Sequence, residues 1–497
     1  MIPYKTIIKL NRVEGKPLYL KLANNFISLI KNGTLTTNAK LPSSRKLSEL
    51  LQVHRKTVLA AYEELHLQGW IVTIPKKGTF VHSNLPILDQ KDFSTEQLDR
   101  KNTKAGFSYY KNEHLIPHKD RVTNDFIFTN DGIPDSRLAP LNELAIIYRN
   151  LAAKKNTLKY INYTNTQGNN DLRSTLALYL NRTRGLKISK ENVLITRGSQ
   201  MGIHLSSQLL IQPRDIIVVG ETNYISADRT FLHLGADLKR VPVDAHGVDI
   251  KSLEKLCSTH KIKGIYITSH HHHPTTVTLS AERRIAILQL AKKYKFAILE
   301  DDYDYDFHYN HSPILPLASH DTNGNVIYLG SICKSVAPVF RVGYMIASKD
   351  VIEEAATLRK YIDRQGDALL EMTFAKFITN GDLERHTNKI LKIYKQRRNL
   401  FCKLLKEELS EFLTFETPKG GMAIWVQLDK KYHWEQISKI SKIHKLKITD
   451  WNRYDPTNSN HNGMRFGFAS YNLEEIENLV IRLKKVFAEA KNQFKAI

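Results

Sequence analysis

The stretch Phe296-Ala297-Ile298-Leu299-Glu300-Asp301-Asp302-Tyr303 decides the fold of most of this 497-residue chain. Four apolar residues lead directly into acidic residues and a tyrosine. Similar apolar runs occur before and after it, separated by helical patterns, at 193–196, 216–219, 265–268 and 326–329. Strands this uniformly apolar are buried on both faces of a sheet. The alternation therefore predicts a mainly parallel α/β sheet, with polar residues collected where the strands end.

The length of the chain predicts more than one domain. A chain of 497 residues is too long for a single hydrophobic core, so two or three domains are expected. We predict an N-terminal domain over 1–83, a polar connector over 84–124 and the α/β body over 125–497. The connector has no sustained apolar period, so it is either a mobile tether or an ordered strap.

The charge and the cysteine content indicate which kind of partner and which cellular compartment to expect. The 73 basic and 50 acidic residues leave a formal charge of +23, which favours polyanions such as nucleic acid. Three cysteines without metal-type spacing indicate a reducing compartment rather than a disulfide framework. No stretch reaches the roughly 18 uninterrupted apolar residues of a membrane span. The sequence thus predicts a cytoplasmic protein without a membrane partner.

The N-terminal domain has the pattern of a helix-turn-helix. An amphipathic helix is predicted over 17–31, followed by a capping hydroxyl in Pro42-Ser43-Ser44 and a short helix over 45–51. After a tight turn, a third helix is predicted over 55–68. Two helices joined by such a turn are typical of DNA-binding domains.

A predicted wing and a local excess of positive charge support DNA binding. Two short strands at 70–73 and 79–81 flank the turn Pro75-Lys76-Lys77-Gly78. Residues 1–85 contain thirteen basic and four acidic residues. Double-stranded DNA is therefore the predicted partner. A protein-interaction module, and phosphate contact without sequence readout, stay open as alternatives.

This domain resembles the winged helix of the GntR family of bacterial regulators. The matching blocks, in chain order, are 17–19, 41–47, 55–58, 61–65 and 78–81. The resemblance implies DNA contacts from Arg45, from the start of the third helix at Arg55, Lys56 and Thr57, and from the wing at Lys77 and Gly78. One departure is His54, which stands where the family usually has a capping Ser or Thr.

The strand ends of the body carry the groups that pyridoxal 5'-phosphate requires. This cofactor needs a lysine amine for a Schiff base, a carboxylate that keeps its ring nitrogen protonated, and donors for its phosphate. Lys334 and Asp301 supply the first two, and Ser331 and Arg341 supply phosphate donors. The turn 196–200, with Ser199 and Gln200, lies between a strand and a helix, where free N–H groups favour an anion.

The body resembles fold-type I aminotransferases, and the whole chain resembles the MocR/GabR-type branch of the GntR regulators. The resemblance implies that Lys334 is the Schiff-base lysine, Asp301 the partner of the ring nitrogen and Tyr303 a donor to the ring hydroxyl. It implies that Tyr224 stacks on the ring, and that Tyr163 reaches the phosphate across the interface of a homodimer.

The same resemblance implies a regulator that senses a small molecule. Arg465 matches the arginine that grips an amino-acid carboxylate, which points to an amino acid, an amine or the cofactor itself as the effector. The amine of the effector would replace the amine of Lys334 in the Schiff base (aldimine) with the cofactor. The alternative is a catalytically active aminotransferase with a winged-helix appendage. The basic residues of the N-terminal domain favour the regulator, in a bacterial cytoplasm and on the nucleoid when bound to DNA.

The run His270-His271-His272-His273 departs from the family pattern. His273 stands where aminotransferases have an asparagine that touches the cofactor hydroxyl, and Thr276 replaces a glycine. We predict no metal site here, because adjacent side chains on an extended segment point apart and no cysteine or carboxylate partner is expected nearby. The acidic run 300–306 directly follows an apolar strand, which favours a cofactor role over cation binding.

Overall fold

The computed structural model describes residues 3–8, 10, 17–85, 104–114, 126–309, 314–332, 334–448, 451–454 and 461–495. It divides the chain into two compact units, Met1–Tyr110, here called the head, and Lys111–Ile497, here called the body. This boundary lies inside the predicted connector, of which 86–103 and 115–124 fall outside the described residues, as does Cys333. The domain bounds 1–83, 84–124 and 125–497 stay a prediction.

The head is a winged helix-turn-helix, as predicted. Its elements are α1 (Tyr4–Ile7), α2 (Leu18–Lys31), α3 (Ser44–Leu51), α4 (Arg55–Leu67), β1 (Ile71–Ile74) and β2 (Gly78–Val81). The Ser43 hydroxyl accepts a hydrogen bond from the Lys46 backbone N–H at 3.3 Å and so begins α3. Strands β1 and β2 pair in antiparallel fashion. Phe26, Leu47 and Val58 are fully buried in the core between the helices.

The body contains eleven α-helices within the described residues. They are α5 (Leu141–Ala152), α6 (Asn170–Arg184), α7 (Ser199–Leu210), α8 (Ile225–His233), α9 (Ile250–Thr259), α10 (Ala281–Tyr294), α11 (Lys349–Lys360), α12 (Ala368–Thr379), α13 (Asp382–Leu409), α14 (Trp434–Ser441) and α15 (Leu473–Lys495). Its strands are β3 (Ile127–Phe128), β4 (Val193–Thr196), β5 (Ile216–Gly220), β6 (Asp237–Val241), β7 (Val243–Asp244), β8 (Gly247–Val248), β9 (Ile262–Ile267), β10 (Ala297–Asp302), β11 (Val326–Ser331), β12 (Gly343–Ile346), β13 (Leu413–Phe415), β14 (Ala423–Leu428), β15 (Leu446–Lys447) and β16 (Gly463–Gly467).

Seven strands form the central sheet, in the order β4-β12-β11-β10-β9-β5-β6. Strand β12 runs antiparallel to both neighbours, and the other pairs are parallel. Separate apolar cores cover the two faces of this sheet. The prediction of a mainly parallel, doubly covered sheet is confirmed.

A smaller antiparallel sheet, β13-β14-β16, packs with α13, α14 and α15 around a core of its own. Arg465 lies in the middle of β16.

Strand β10 of the central sheet is longer than its apolar run, because it does not end at Leu299 but continues through Asp302. Pairing of Asp301 with Leu329 and of Asp302 with Gly330 of β11 keeps the backbone extended there. Within the described residues, no helix combines the length and apolarity of a membrane span.

Candidate cofactor and effector site

Asp301 lies near the end of β10, and only one of its two carboxylate oxygens is hydrogen-bonded among the described residues. Its Oδ2 accepts a hydrogen bond from the Tyr266 hydroxyl at 2.7 Å, whereas its buried Oδ1 has no hydrogen-bond partner among the described residues. Burial raises the pKa of Asp301 to about 7, against the lowering effect of the Tyr266 bond. A buried carboxylate oxygen without a donor is costly. This geometry fits a ligand that brings a positively charged N–H, such as a protonated pyridine ring.

Lys334 lies close to Tyr303, three residues beyond the end of β11. Its Nζ donates to the backbone oxygen of Gly132 at 3.4 Å and lies 5.8 Å from the centroid of the Tyr303 ring. The Tyr303 hydroxyl donates to the backbone oxygen of His271 at 3.2 Å. The predicted Schiff-base lysine and the predicted ring-hydroxyl donor are therefore neighbours.

An anion cradle lies at the start of α7. Gly198 caps this helix with a φ of +77°, and a Cβ there would lie 3.1 Å from the Arg341 guanidinium. Arg341 donates to the backbone oxygen of Arg197 at 2.9 Å, which holds the guanidinium beside the helix start. Free N–H groups of Ser199 and Gln200 and a cation beside them are typical of a phosphate site. The Gln200 side chain donates to Thr230 at 3.1 Å, and its buried Oε1 has no partner among the described residues.

Tyr224 and His273 pack edge to face beside this cluster. Their ring centroids are 5.2 Å apart, and Tyr224 immediately precedes α8. Neither ring nitrogen of the buried His273 has a hydrogen-bond partner within the described chain, and its Nε2 lies 3.7 Å from Oδ2 of Asp131. Burial lowers the pKa of His273, so the imidazole is neutral near pH 7.

Arg465 reaches the same cluster from the smaller sheet. It is 1% exposed. Its Nε donates to the backbone oxygen of Asp131 at 2.7 Å, its Nη1 to that of Pro274 at 3.1 Å and its Nη2 to the Tyr303 hydroxyl at 3.2 Å. Residues of the smaller sheet and of the segments that follow the central strands thus lie together around Tyr303.

Sequence reasoning missed two residues of this site, Asp131 and Tyr266. Asp131 belongs to a loop about two hundred positions before Lys334, and no spacing pattern links them. Tyr266 sits inside an apolar strand and reads there as a core residue. Only the parallel register of β9 and β10 brings its hydroxyl to Asp301.

The histidine run is paired with carboxylates, so our expectation that none lies nearby is wrong. His270 Nδ1 lies 2.9 Å from Asp302, and His271 Nδ1 lies 2.9 Å from Asp304. The reason is the extension of β10, which brings these acids beside the loop. Thr276 takes a φ of +63°, the conformation that suits the glycine it replaces. The described residues contain no group of three or more metal-type ligands.

Tyr163 lies apart from the cofactor cluster of its own chain. It is 72% exposed, and the Arg364 guanidinium stacks 4.0 Å from its ring centroid. Ser331 ends β11 at the edge of the sheet. The ring contact of Tyr163 with Arg364 does not lead to the cluster around Lys334.

The predicted DNA-contacting residues share the surface of the head. Arg45, Arg55, Lys56 and Lys77 are exposed, whereas Thr57 and Gly78 are half-buried. His54 Nδ1 accepts a hydrogen bond from the Lys56 backbone N–H at 3.2 Å. Histidine therefore caps α4 in the way that Ser or Thr does, and the start of this helix is well formed despite the departure.

Comparison with known families and proteins finds a matching family for each of the two units. The family described as aminotransferase class I and II matches residues 144–483, and the bacterial regulatory proteins of the gntR family match residues 18–81. The "Uncharacterized HTH-type transcriptional regulator YdfD" of Bacillus subtilis is 27% identical over 84% of this chain and 86% of its own length. The "Probable rhizopine catabolism regulatory protein MocR" of Rhizobium meliloti is 24% identical over 84% of this chain and 83% of its own.

A solved structure supports the fold of the body. The multiple substrate aminotransferase from Thermococcus profundus superposes with a TM-score of 0.71 at 26% identity, covering 77% of this chain and 98% of that one. This chain belongs to the aminotransferase class I and II family, with a GntR-family winged helix at its N-terminus. It is a pyridoxal-phosphate-dependent transcription regulator of the MocR type, which confirms the predicted family and cofactor.

Proposed function

We propose that this regulator is a cytoplasmic, bacterial homodimer that senses an amino acid or another amine, or the cofactor itself, at Lys334 and changes its grip on a promoter operator in response. One observation carries the proposal. A cationic winged helix shares a chain with Lys334, Asp301 and Arg341, which could supply the amine, the ring-nitrogen partner and the phosphate donor that the cofactor requires. An enzyme alone has no use for the exposed arginines of the head.

The residues of the cavity would divide the work of holding the cofactor. When bound, pyridoxal phosphate supplies a carbonyl carbon that bonds to amines and a ring that withdraws electrons. Asp301 would hold the proton on the ring nitrogen, through the oxygen that lacks a donor. Tyr224 would stack on the cofactor ring, and Tyr303 would orient the hydroxyl group of that ring. Arg341 and the N–H groups at the start of α7 would bind the phosphate.

Arg465 would hold the carboxylate of an amino-acid effector. Its planar guanidinium suits bidentate binding of a carboxylate. Its contacts with Tyr303 and with the backbone of Asp131 also tie the smaller sheet to the cofactor cavity. An effector that binds one arrangement of these parts more tightly than another shifts the balance between them, which is the physical requirement for a signal.

The dimer is supported by apolar side chains left on one part of the body surface. Leu158, Ile161 and Tyr361 are all more than two-thirds exposed. They lie on segments near Tyr163, whose neighbour Arg364 belongs to the same loop as Tyr361. Exposed apolar surface of this kind commonly marks an interface. Tyr163 would then contact the phosphate bound by the partner subunit.

DNA binding would be carried by the start of α4 and by the wing. Arg55 and Lys56 stand at a helix N-terminus, where side chains and free N–H groups meet the major groove or its phosphates. Arg45 on α3 and Lys77 in the wing would add backbone contacts. Arg55 donates to the Ser44 hydroxyl at 3.4 Å, which orients its exposed guanidinium.

A working aminotransferase is the second candidate function. It is supported by the close match of the body to the Thermococcus enzyme. The two candidates share the same residues around Lys334, so only turnover separates them. Sustained conversion of an amino acid and a keto acid at ordinary enzyme rates would favour the enzyme.

The sensor is tested by operator binding with and without the effector. A panel of amino acids and amines is screened for a change in the cofactor absorbance of the purified protein. The responding compound should change operator affinity in the wild type. Lys334→Ala should bind the operator without responding to that compound. An unchanged response in this variant would contradict sensing at Lys334.

A further inference from the structure

We propose that Asp131 recognises a second positive charge on the effector, which makes the effector class diamines and basic amino acids. The inference deepens the proposed function and rests on it, because it concerns the ligand that approaches Lys334. It starts from the Asp131 carboxylate, which is partly exposed near Lys334, and from the buried His273, whose ring nitrogens have no hydrogen-bond partner among the described residues.

Asp131 is fixed in place by its neighbours in the loop. Asn130 accepts hydrogen bonds from the backbone N–H groups of Gly132 and Ile133, each at 3.0 Å, and donates to Ser470 and Tyr471. The Gly467 N–H at the end of β16 donates to the Asn130 backbone oxygen at 2.6 Å. Asn130 therefore ties the loop to the end of β16 and to the segment that follows it.

Three groups of the cavity converge on this loop. Lys334 Nζ contacts the Gly132 backbone oxygen, Arg465 Nε contacts the Asp131 backbone oxygen, and His273 Nε2 lies 3.7 Å from the Asp131 carboxylate. The Asp131 side chain is 34% exposed although its surroundings are buried. Lys334 donates to the backbone oxygen of the next residue, Gly132, so this partly exposed carboxylate lies near the reacting amine.

The Asp131 carboxylate is ionised near neutral pH. Burial raises its pKa, but the contact with His273 and the nearby charges of Lys334 and Arg465 lower it by more, so the pKa of Asp131 lies well below its ordinary value. His273 cannot balance this charge, since burial keeps its imidazole neutral. Once Lys334 is bonded to the cofactor, Arg465 is the cation that stays beside the Asp131 carboxylate, and the buried His273 next to it has no hydrogen-bond partner among the described residues.

Arg465, which would hold the effector carboxylate, cannot bind an ammonium group, because a guanidinium is itself a cation with donors only. Each of its three nitrogens already donates to the protein, and the residue is 1% exposed. Asp131, by contrast, presents acceptor oxygens to the cavity. An alkylammonium group brings three donors and a positive charge, which is the complement of a carboxylate beside a neutral imidazole.

The experiment compares matched ligands on the full-length protein loaded with cofactor. Butane-1,4-diamine is compared with butan-1-amine, and ornithine with norvaline, so that each pair differs by one ammonium group. Binding is measured by calorimetry and by the change in cofactor absorbance. We expect the member with the second ammonium to bind about tenfold more tightly or better, because this group makes a charge-assisted hydrogen bond that the methyl group of its counterpart cannot make.

Variants assign that preference to one side chain. Asp131→Asn should remove the preference within each pair, and Asp131→Ser guards against a misleading effect of the new amide. Asp237→Asn is the control, since Asp237 is an exposed residue of the edge strand β6. Equal affinities within each pair, or a preference that survives in both Asp131 variants, would overturn the inference while leaving the sensor intact. A protein whose absorbance responds to no amine would instead overturn the proposed function.

Discussion

The head and the body use positive charge in opposite ways. In the described part of the head, Arg45 and Arg55 are exposed around a core that is apolar. In the body Arg173, Arg284, Arg359 and Arg465 are among the largest fully buried side chains. An exposed charge attracts a polyanion from a distance and is screened by salt. A buried guanidinium must be satisfied by fixed acceptors, so it shapes a cavity. The head is thus built to bind a surface, and the body to bind a small molecule.

Removing the charge of Asp301 should have the largest effect on the body. Asp301→Asn cannot hold the cofactor ring nitrogen in its protonated form. Loss of one partner of a buried pair costs about 3–5 kcal/mol, which predicts cofactor affinity weakened by about a hundredfold or more. The measurement is a titration of cofactor-free protein followed by absorbance. Undiminished affinity would show that Asp301 does not pair with the ring.

The same variant should behave differently without the cofactor. The pKa of Asp301 is raised to about 7 in the folded protein, whereas the unfolded chain titrates near the ordinary value. The folded state therefore binds more protons between about pH 4 and 7, and this group makes the cofactor-free protein less stable as pH rises through that window. Asp301→Asn should flatten this loss, as measured by thermal unfolding at pH 5 and pH 8. An equal loss in both proteins would contradict the assigned shift.

A substitution in the core of the head should lower the stability of the head without lowering that of the body. Leu47 is fully buried in the head, whereas Leu59 of α4 is 47% exposed. Leu47→Ala should destabilise the head by about 2–5 kcal/mol, because it leaves a cavity. Leu59→Ala should change it by less than about 1 kcal/mol. Unfolding is followed by urea titration, with cofactor absorbance reporting on the body. Equal effects of the two changes on the head would contradict its described packing.

Removing one exposed arginine should have a smaller, salt-dependent effect on the head. Arg55→Ala should weaken operator binding by about 1–3 kcal/mol if it reads a base, or should reduce the salt slope if it contacts phosphate. Lys5→Ala is the control, since Lys5 is exposed on α1 away from the start of α4. Binding is measured by fluorescence anisotropy at two salt concentrations. Equal losses in both variants would mean that Arg55 acts only through net charge.

The secondary structure of the head and the class of the body could be predicted from the sequence. Local signals decide both, since capping hydroxyls, glycines and uniformly apolar strands act over a few residues. The helix predicted over 55–68 is α4 (Arg55–Leu67), and the run 193–196 is strand β4. The cofactor followed from residue types placed directly after strands, which needs no knowledge of distant contacts.

The surroundings of the cofactor site could not be predicted in this way. Tyr266 meets Asp301 only through the register of β9 and β10, and the loop of Asp131 and Gly132 reaches Lys334 only in the folded chain. The pairing of His270 with Asp302 depends on β10 running three residues past its apolar part. Such contacts join segments that are far apart in the chain, where propensity and periodicity carry no information.

The covalent attachment of the cofactor to Lys334 tests the account most directly. Protein purified with pyridoxal phosphate is reduced with borohydride, digested and examined by mass spectrometry. We predict a pyridoxyl group on the peptide that contains Lys334, and none in the Lys334→Ala variant. A pyridoxyl group on a different lysine, or an unmodified Lys334 in the wild type, would contradict the proposed sensing site.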